Sequence, residues 1–323
     1  MASLRLAGTV ARVTELTVLL PWIDHPSVLR GATHDVAVLV YDGSTPPLDV
    51  ELRAIEFYVP PYMAASQTLE LMERMPSLKA VQTLTAGVDN VWPHLPPDVR
   101  LYNAAGVHDA STAELVVGLI IAKLRRIDDF ARAHETGEWL YGRFDALADK
   151  RVLIVGYGNV GRAIEQRLTG FEVEITRVAR SARTTDNAQQ VHGFAELPAL
   201  LPFADVVVVV VPQTRDTIGM VDAEFLSRMK DGALLVNAAR GPVVVTDDLL
   251  AELQTHRLRA ALDVTDPEPL PPDHPLWQAP GVLISPHVGG NTSAFLPRAY
   301  RLVAAQLRRY VAGEAMLNEV LRP

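Results

Sequence analysis

Runs of branched apolar residues, separated by turn residues and by longer amphipathic stretches, recur along the whole chain. In the first hundred residues such runs predict five strands, at 18–20, 36–40, 55–59, 78–84 and 99–102. The apolar spacing over residues 62–75 predicts a helix between the third strand and the fourth. Because strands alternate with a helix here, the pattern favours a small parallel α/β domain.

A second series of apolar runs fills the rest of the chain. These runs predict strands at 152–155, 173–178, 206–211, 233–236, 260–262 and 282–284, and the six consecutive valines of 206–211 indicate a central strand. Residues 110–136 predict one long helix, capped by Ser111 or Thr112 with Glu114 as the capping-box partner. A final helical pattern over residues 293–312 can fold back onto the first domain.

The composition limits the kind of protein. A chain of 323 residues exceeds the usual size of one domain, so two are expected. The net charge of −8 provides no general attraction for nucleic acid or for an anionic membrane surface. The absence of cysteine excludes disulfides, thiol catalysis and thiolate metal sites, and it fits a reducing compartment. Because the first residues lack a signal-peptide pattern and no run of about 18 residues is wholly apolar, we expect a cytoplasmic protein.

A strand, a glycine-rich turn and a helix start follow one another between residues 151 and 168. Gly156, Gly158 and Gly161 have the spacing G-x-G-x-x-G directly after the apolar run. In a dinucleotide site the first glycine permits a tight turn, the second lets a pyrophosphate approach the backbone, and the third lets the helix pack against the strand. The helix N-terminus then offers N–H groups to the phosphates. We predict dinucleotide binding here; the alternative is another Rossmann-like turn, such as one that binds S-adenosylmethionine.

The end of the next strand, 173–178, indicates which dinucleotide is bound. An NAD site usually has an acid about 20 residues beyond the glycines, where it bonds the ribose hydroxyls. This chain instead has Arg180, Ser181 and Arg183, and Asp186 comes only after them. The two guanidinium groups can clamp a 2′-phosphate, with Ser181 as a further donor. The pattern predicts NADP(H) in preference to NAD(H); the alternative is a pair of solvated arginines.

Three residues with complementary chemistry stand just past three late strands: Arg240, Glu268 and His287. The carboxyl ends of adjacent parallel strands meet at one crevice, so we expect these side chains to lie close together. Hydride transfer to a ketone needs a proton for the developing alkoxide, and histidine suits that exchange. A carboxylate bonded to the other ring nitrogen would fix the tautomer. An arginine can hold the carboxylate and the carbonyl of a 2-keto acid together.

Each of these residues also has a plainer interpretation. His287 after a proline is typical of a bonded loop residue, Glu268 of a solvated charge and Arg240 of a helix cap. Their joint occurrence downstream of the glycine turn favours the catalytic interpretation. The other histidines have no comparable setting, and no metal-ligand spacing is present. The small residues at 84–90 can expose backbone N–H groups to an oxyanion, or they form an ordinary turn.

Six motifs spread over nearly the whole chain resemble those of the D-isomer-specific 2-hydroxyacid dehydrogenases, such as glyoxylate/hydroxypyruvate reductases and phosphoglycerate dehydrogenases. They are Ala-Gly-Val-Asp-Asn at 86–90, Gly-Tyr-Gly-Asn-Val-Gly at 156–161, Asn-Ala-Ala-Arg-Gly at 237–241, Leu-Asp-Val at 262–264, Glu268-Pro, and Pro-His-Val-Gly-Gly at 286–290. The resemblance implies that Arg240 binds substrate, that His287 is the acid–base group and that Glu268 orients His287. It further implies that substrate carboxylate is bound by backbone groups of Ala86, Gly87 and Val88.

The resemblance, together with the glycine and arginine patterns, predicts a set of cofactor contacts. They are Thr112, Gly156, Gly158, Asn159, Val160, Gly161, Arg180, Ser181, Arg183, Val211, Pro212, Thr217, Ala238, Ala239, Asp263, His287, Gly289 and Gly290. Within this set, the resemblance implies that Asp263 lies near the nicotinamide amide. Two positions depart from the family pattern. Arg180 stands where many relatives have an acid, which argues against NAD, and residues 110–114 vary the usual Val-Ala-Glu around Thr112.

The resemblance also implies an α/β fold of two doubly wound parallel-sheet domains and a homodimer. A Rossmann cofactor domain would comprise residues 104–292, and a smaller flavodoxin-like substrate domain would comprise 1–103 with 293–323. The predicted activity is reduction of a small 2-ketoacid of the glyoxylate or hydroxypyruvate type to the D-2-hydroxy acid, or the reverse, with NAD(P)(H). One rival is a nucleotide-sensing protein like the C-terminal-binding corepressors, without significant turnover. The other is a methyltransferase, in which the Arg, Glu and His set has no role.

Overall fold

The computed structural model describes residues 16–22, 36–63 and 65–322. These residues form two compact units. The central unit comprises Ala105–Phe295, and the split unit comprises the described residues up to Ala104 together with those from Leu296 onward. In the described part of the chain, no helix is both long enough and apolar enough to cross a membrane.

Strands and helices alternate in both units. The strands, in chain order, are β1 (Leu16–Leu20), β2 (Val36–Val40), β3 (Ile55–Tyr58), β4 (Ala80–Gln82), β5 (Arg100–Tyr102), β6 (Arg151–Val155), β7 (Glu174–Ala179), β8 (Arg183–Thr184), β9 (Gln190–Gly193), β10 (Val206–Val209), β11 (Leu234–Asn237), β12 (Arg259–Leu262), β13 (Val282–Ile284) and β14 (Glu319–Val320). The α-helices are α1 (Asp49–Leu52), α2 (Ser66–Glu70), α3 (Asp109–Leu124), α4 (Ile127–Thr136), α5 (Asn159–Leu168), α6 (Leu197–Leu200), α7 (Ala223–Arg228), α8 (Thr246–Gln254) and α9 (Phe295–Val311).

The sheet of the split unit has the order β14-β5-β4-β3-β1-β2. Its first five strands are parallel in the order 2-1-3-4-5, which is the flavodoxin-like arrangement, and each coincides with a predicted run. At the edge, β14 pairs antiparallel with β5. The sequence does not predict β14, because a strand of two residues carries too short a pattern.

The helix predicted over residues 62–75 is shorter in the structure. Its helical part is α2, which continues as a 3-10 turn at Leu71–Arg74. Met63 has a φ of 53°, which a right-handed helix excludes, so the predicted start is wrong. The apolar side chains of this segment nevertheless face the core. Leu69, Leu71 and Met72 are buried in the core of the split unit.

Two buried amide side chains join α9 to β4 within the split unit. Gln306 Nε2 donates to Gln82 Oε1 at 2.6 Å and to the Leu317 carbonyl at 2.8 Å. The Leu317 N–H donates to Gln306 Oε1 at 2.8 Å. Both glutamines are fully buried, so these bonds satisfy polar groups that water does not reach. The C-terminal segment is thereby fixed to the first series of strands.

The sheet of the central unit has the order β13-β12-β11-β10-β6-β7-β9-β8. From β9 to β12 this is the 3-2-1-4-5-6 order of Rossmann folds, and β13 continues it in parallel. The valine strand β10 lies between β6 and β11 with all four residues buried, which confirms the predicted central position. The short pair β8 and β9 is not predicted by the sequence. The predicted α/β fold class is confirmed.

The single helix predicted over residues 110–136 is wrong. The structure has two helices, α3 and α4, with Arg125 and Arg126 between them. Arg126 has a φ of 55°, which interrupts the right-handed helix. Across the break, Lys123 of α3 makes a buried ion pair with Asp128 of α4 at 2.8 Å. This ion pair stabilises the turn between the two helices. The pattern of apolar residues gives no information about it.

The predicted cap of the first helix is also wrong. The helix α3 begins at Asp109, so Ser111 and Thr112 lie inside its first turn and His108 takes the cap position. The buried Ser111 hydroxyl instead bonds the Thr292 hydroxyl at 2.8 Å. The start of α3 is therefore attached to the segment that follows β13.

Candidate active site

The glycine-rich turn leaves β6 in the conformation that the sequence predicts. Gly156 has a φ of 111°, and a Cβ there would lie 2.5 Å from the Val210 carbonyl oxygen. A Cβ on Gly161 would lie 2.2 Å from the Gly156 carbonyl oxygen. No larger residue fits at either position. The two glycines therefore allow the turn and the close approach of α5 to β6.

The helix α5 begins at Asn159 and Val160, with Gly158 in the cap position. No side chain caps this helix, and nothing lies within 4 Å of where a Cβ on Gly158 would stand. The start of α5 therefore has no capping side chain, and the space beside Gly158 is open. Such a helix start suits an anionic group. The residues of this turn fit the pyrophosphate of a dinucleotide.

A second predicted cofactor segment follows β10, the neighbour of β6 in the sheet. Val211 is buried and Pro212 is exposed. The Thr217 hydroxyl donates to the Pro212 carbonyl at 2.6 Å and accepts from the Thr214 N–H at 2.8 Å. The side chain of Thr217 therefore closes its own turn. These two hydrogen bonds hold the backbone of residues 212–217 in place at this edge of the sheet.

The predicted catalytic residues follow β11, β12 and β13, which are neighbours in the parallel sheet. His287 Nδ1 and Glu268 Oε1 form a hydrogen bond. Both side chains remain partly exposed, His287 at 29% and Glu268 at 36%. His287 also has a φ of 52°, a left-handed conformation that is uncommon for a residue other than glycine. A carboxylate-bound imidazole on such a backbone is typical of a functional site.

The loop that carries His287 is attached to Asp263 at the end of β12. Asp263 Oδ1 accepts hydrogen bonds from the Ser285 hydroxyl at 2.7 Å and from the Val288 N–H at 3.0 Å, and Oδ2 accepts from the Gly289 N–H at 2.9 Å. The His287 N–H donates to the Asp263 carbonyl at 2.8 Å. Asp263 is 3% exposed. Because each carboxylate oxygen has two lone pairs, Oδ2 retains one acceptor position.

Arg240 is oriented by the end of β11. Its Nη1 donates to the Ala239 carbonyl at 2.7 Å. The buried Asn237 side chain accepts from the Ala239 N–H at 3.1 Å and donates to the Arg240 carbonyl at 3.1 Å. The N–H of Ala238 continues the sheet by donating to Val209. These bonds hold residues 237–240 as a rigid turn at the same sheet edge as His287.

The start of α3 meets the glycines that follow His287. A Cβ on Gly289 would lie 3.4 Å from the Thr112 side chain, so the two residues are in contact distance. His108 Nδ1 lies 3.2 Å from the Gly290 carbonyl oxygen, and its ring stacks on Phe295 with centroids 5.2 Å apart. The structure therefore brings Thr112, Gly289 and Gly290 close to one another.

The predicted phosphate clamp lies at the end of β7, the other neighbour of β6. Arg180, Ser181 and Arg183 are exposed. Arg183 Nη2 donates to the carbonyl of Tyr157, in the glycine turn, at 2.8 Å. At least one of the two guanidinium groups therefore stands beside the dinucleotide turn.

In the split unit, the loop after β4 contains Ala86, Gly87 and Val88. The Ala86 carbonyl accepts from the Asn103 side chain and the Gly87 carbonyl from the Thr85 hydroxyl, each at 2.8 Å. Among the described residues, no hydrogen bond uses the N–H groups of residues 86–88. The carbonyls of Ala86 and Gly87 are thus bonded within the split unit and the backbone N–H groups remain for a ligand, a favourable arrangement for an oxyanion.

Comparison with known proteins identifies the family. The family model "D-isomer specific 2-hydroxyacid dehydrogenase, NAD binding domain" matches residues 117–289. The chain belongs to the D-isomer-specific 2-hydroxyacid dehydrogenase family. The match covers β6 to β13 and contains the glycine turn, Arg240, Glu268 and His287. It confirms the resemblance that the sequence motifs indicate.

Members of this dehydrogenase family from distant organisms are similar to the chain. Glyoxylate reductase from Thermofilum pendens is 34% identical over 269 residues, which are 78% of this chain and 79% of that protein. Mouse glyoxylate reductase/hydroxypyruvate reductase is 34% identical over 257 residues, 76% of this chain and 77% of that protein. The NADPH-dependent glyoxylate/hydroxypyruvate reductase GhrA of Sinorhizobium meliloti, solved with NADP and sulfate, is 26% identical with a TM-score of 0.79; the match covers 94% of this chain and 98% of that one.

Some functional contacts in this dehydrogenase are not predicted by the sequence. The bonds from Ser285 to Asp263 and from His108 to Gly290 join residues more than 20 positions apart. The only available signals are a serine two residues before His287 and a histidine just before a helix. In the described residues, no group of three or more histidine and acidic side chains could hold a metal ion.

Proposed function

We propose that this dehydrogenase reduces a small 2-ketoacid of the glyoxylate or hydroxypyruvate type to the D-2-hydroxy acid, and catalyses the reverse reaction when the hydroxy acid is in excess. NADPH is the favoured cofactor and NADH the weaker one. The observation that carries the proposal is the His287–Glu268 hydrogen bond at the sheet edge that also holds Arg240. The activities of the relatives and the NADP bound to the S. meliloti reductase support it.

His287 is the proposed proton donor. The Glu268 carboxylate can only accept, so it selects the ring form in which Nδ1 carries a hydrogen. The other nitrogen, Nε2, is then the one available to the substrate. A bound reduced nicotinamide supplies the hydride that the carbonyl carbon receives. His287 in its protonated form transfers the Nε2 proton to the carbonyl oxygen, which completes the alcohol and leaves a neutral imidazole.

Glu268 and Arg240 have supporting roles in this proposal. The Glu268 carboxylate stabilises the charge of the protonated imidazole before the Nε2 proton is transferred, and it keeps the ring plane fixed. Arg240 Nη1 donates a hydrogen bond to the Ala239 carbonyl. The planar guanidinium group has further N–H groups that can donate to the carboxylate and carbonyl of the substrate. The open N–H groups of Ala86, Gly87 and Val88 are proposed to bind substrate carboxylate.

The proposed cofactor contacts divide by chemistry. The turn at Gly156, Gly158 and Gly161, with Asn159 and Val160, would hold the pyrophosphate through backbone N–H groups. The remaining acceptor position on Asp263 would take the nicotinamide amide. The other lining positions would be Thr112, Val211, Pro212, Thr217, Ala238, Ala239, His287, Gly289 and Gly290. Arg180, Ser181 and Arg183 would bind a 2′-phosphate.

The proposal extends to assembly and location. The family resemblance supports a homodimer, and the cysteine-free composition fits the reducing cytoplasm. Sedimentation of the purified protein and fractionation of its cells test these two points directly.

A substrate panel tests the main proposal. The purified protein is assayed with glyoxylate, hydroxypyruvate and bulkier 2-ketoacids, each with NADPH and with NADH. We expect turnover of the small ketoacids, a higher kcat/KM with NADPH, and a D-configured product from hydroxypyruvate. Tight NADPH binding without turnover of any ketoacid would contradict an enzyme and favour a nucleotide sensor.

A further inference from the structure

The glycine-rich turn contains a tyrosine that the family motif leaves free to vary between its first two glycines. Tyr157 is only 5% exposed, although its neighbours Gly156 and Gly158 border the proposed pyrophosphate site. Its ring lies near two guanidinium groups, Arg162 and Arg177, each 5.9 Å from the ring centroid. The turn therefore contains a large and buried side chain between two glycines.

The phenol of Tyr157 joins a partly buried charge cluster. Its hydroxyl donates to the Glu165 carboxylate of α5, and Arg177 of β7 binds the same carboxylate with Nε at 2.9 and 3.0 Å from the two oxygens. Gln189, just before β9, donates to it at 3.3 Å. The side chains of Arg177 and Glu165 are 16% and 14% exposed. One carboxylate thus connects the glycine turn, α5, β7 and the start of β9.

The ionisation of this cluster follows from its contacts. Burial disfavours the charged form of Glu165, but the hydrogen bonds from Arg177 and Tyr157 outweigh burial and place the pKa of Glu165 below its ordinary value. Burial and the Glu165 charge raise the pKa of the Tyr157 phenol. At neutral pH the cluster therefore contains a carboxylate, a guanidinium and a protonated phenol, and the phenol remains a donor.

The backbone of the same tyrosine contacts the proposed phosphate clamp. Arg183 Nη2 donates to the Tyr157 carbonyl at 2.8 Å. This bond uses one of the five N–H groups of the guanidinium and leaves the others for a ligand. The hydrogen bond of its phenol therefore holds Tyr157 in place, and the backbone carbonyl of Tyr157 in turn orients Arg183.

We propose that Tyr157, held by Glu165 and Arg177, is a positioning residue that sets the preference for a 2′-phosphorylated cofactor by orienting Arg183. The inference rests on the proposed use of NADPH. NADH has no 2′-phosphate, so a displaced Arg183 fork loses contacts only with NADPH. Bidentate guanidinium–phosphate bonds are strongly directional, and a small displacement of the fork removes them.

The test uses Tyr157→Phe, which removes the hydroxyl and keeps the ring. Binding of adenosine 2′,5′-bisphosphate and of 5′-AMP is measured by calorimetry, and kcat and KM are measured with NADPH and NADH. We expect the bisphosphate to bind about 10-fold more weakly and the KM for NADPH to rise by a similar factor. Binding of 5′-AMP, the KM for NADH and both kcat values should stay within about twofold. The matched control is Tyr141→Phe, at a tyrosine that is 90% exposed, and it should behave as the wild type.

The outcomes separate this inference from the proposed function. A wild-type protein that binds bisphosphate and 5′-AMP equally would contradict both NADPH preference and the role of Tyr157. A wild-type preference that Tyr157→Phe leaves intact would overturn the inference alone. Equal weakening of both nucleotides would also overturn it, because it would indicate a general loosening of the turn. If Tyr157→Phe does not fold, Arg177→Lys, which keeps the charge and loses the fork, replaces it with the same expected pattern.

Discussion

The Glu268 carboxylate accepts a hydrogen bond from Nδ1 of His287, although the two residues lie on loops after different strands. The parallel pairing of β12 with β13 brings the two loops to one edge of the sheet. The contact fixes which ring nitrogen carries the hydrogen and which one is available to a substrate.

Glu268→Gln should lower kcat by about 100-fold with little change in the KM for NADPH. An amide can donate as well as accept, so it no longer selects the hydrogen on Nδ1. Steady-state kinetics with hydroxypyruvate measure the effect. The double variant Glu268→Gln/His287→Ala should be no slower than His287→Ala, because the two side chains act as one unit. Additive losses would mean that Glu268 acts independently of His287.

Arg180→Ala should raise the KM for NADPH by about 10-fold, the effect of losing one charge-assisted contact, and leave the KM for NADH unchanged. Its side chain is exposed at the end of β7, so the fold should not change. Steady-state kinetics with each cofactor provide the measurement. Arg143→Ala, which removes an exposed arginine elsewhere in the central unit, is the control. Equal weakening of NADPH and NADH would contradict the role of Arg180 in cofactor choice.

Gln306→Leu should lower the free energy of unfolding by about 2 kcal/mol, because Gln82 Oε1 and the N–H and carbonyl of Leu317 lose the partner that Gln306 provides. Urea denaturation followed by circular dichroism measures the loss. Replacing Gln82 with leucine as well should lower the stability further, since Gln82 Nε2 also donates to the Thr83 and Asn103 carbonyls. A single variant as stable as the wild type would show that this pair does not hold α9 to β4.

Asp205→Asn should flatten the dependence of stability on acid pH. Burial disfavours the charge on Asp205, but bonds from the Arg151 N–H and from Lys230 outweigh it and lower its pKa in the folded protein below 3.8. In the unfolded chain the pKa of Asp205 has its ordinary value of 3.8, so at a pH between the folded and unfolded values the unfolded chain binds more protons. The contribution of Asp205 to stability is therefore complete above 3.8 and is lost as the pH falls through the folded pKa.

At neutral pH the Asp205→Asn variant should therefore be less stable than the wild type by about 1 kcal/mol. The difference should shrink as the pH falls below 3.8. Urea denaturation from neutral pH down to acid measures both values. Asp186→Asn changes the same charge at an exposed position and is the control. A constant difference at every pH would contradict the account.

The strands of this fold could be predicted because each is a run of branched apolar residues that a parallel sheet buries on both faces. The valine strand β10 is the clearest case. The break between α3 and α4 could not be predicted, because it depends on the left-handed Arg126 and on the Lys123–Asp128 ion pair. Helical apolar spacing continues through the break and carries no information on either feature.

The individual residues of the candidate site could be proposed from the sequence. The hydrogen bonds that hold these residues in place could not. Arg240, Glu268 and His287 are chemically distinctive residues at strand ends. Asp263, in contrast, is expected as a cofactor contact, and only the structure shows that it binds the loop of His287 through three donors. The contact of Arg183 with Tyr157 joins residues 26 positions apart, and no spacing rule indicates it.

His287→Ala, assayed with hydroxypyruvate and NADPH, tests the central claim most directly. The account predicts that kcat falls by about 10²- to 10⁴-fold, while the circular dichroism spectrum stays unchanged. His134→Ala, which removes an exposed histidine of α4, should retain normal turnover. A His287→Ala variant that turns over hydroxypyruvate at a rate near that of the wild type would contradict the account.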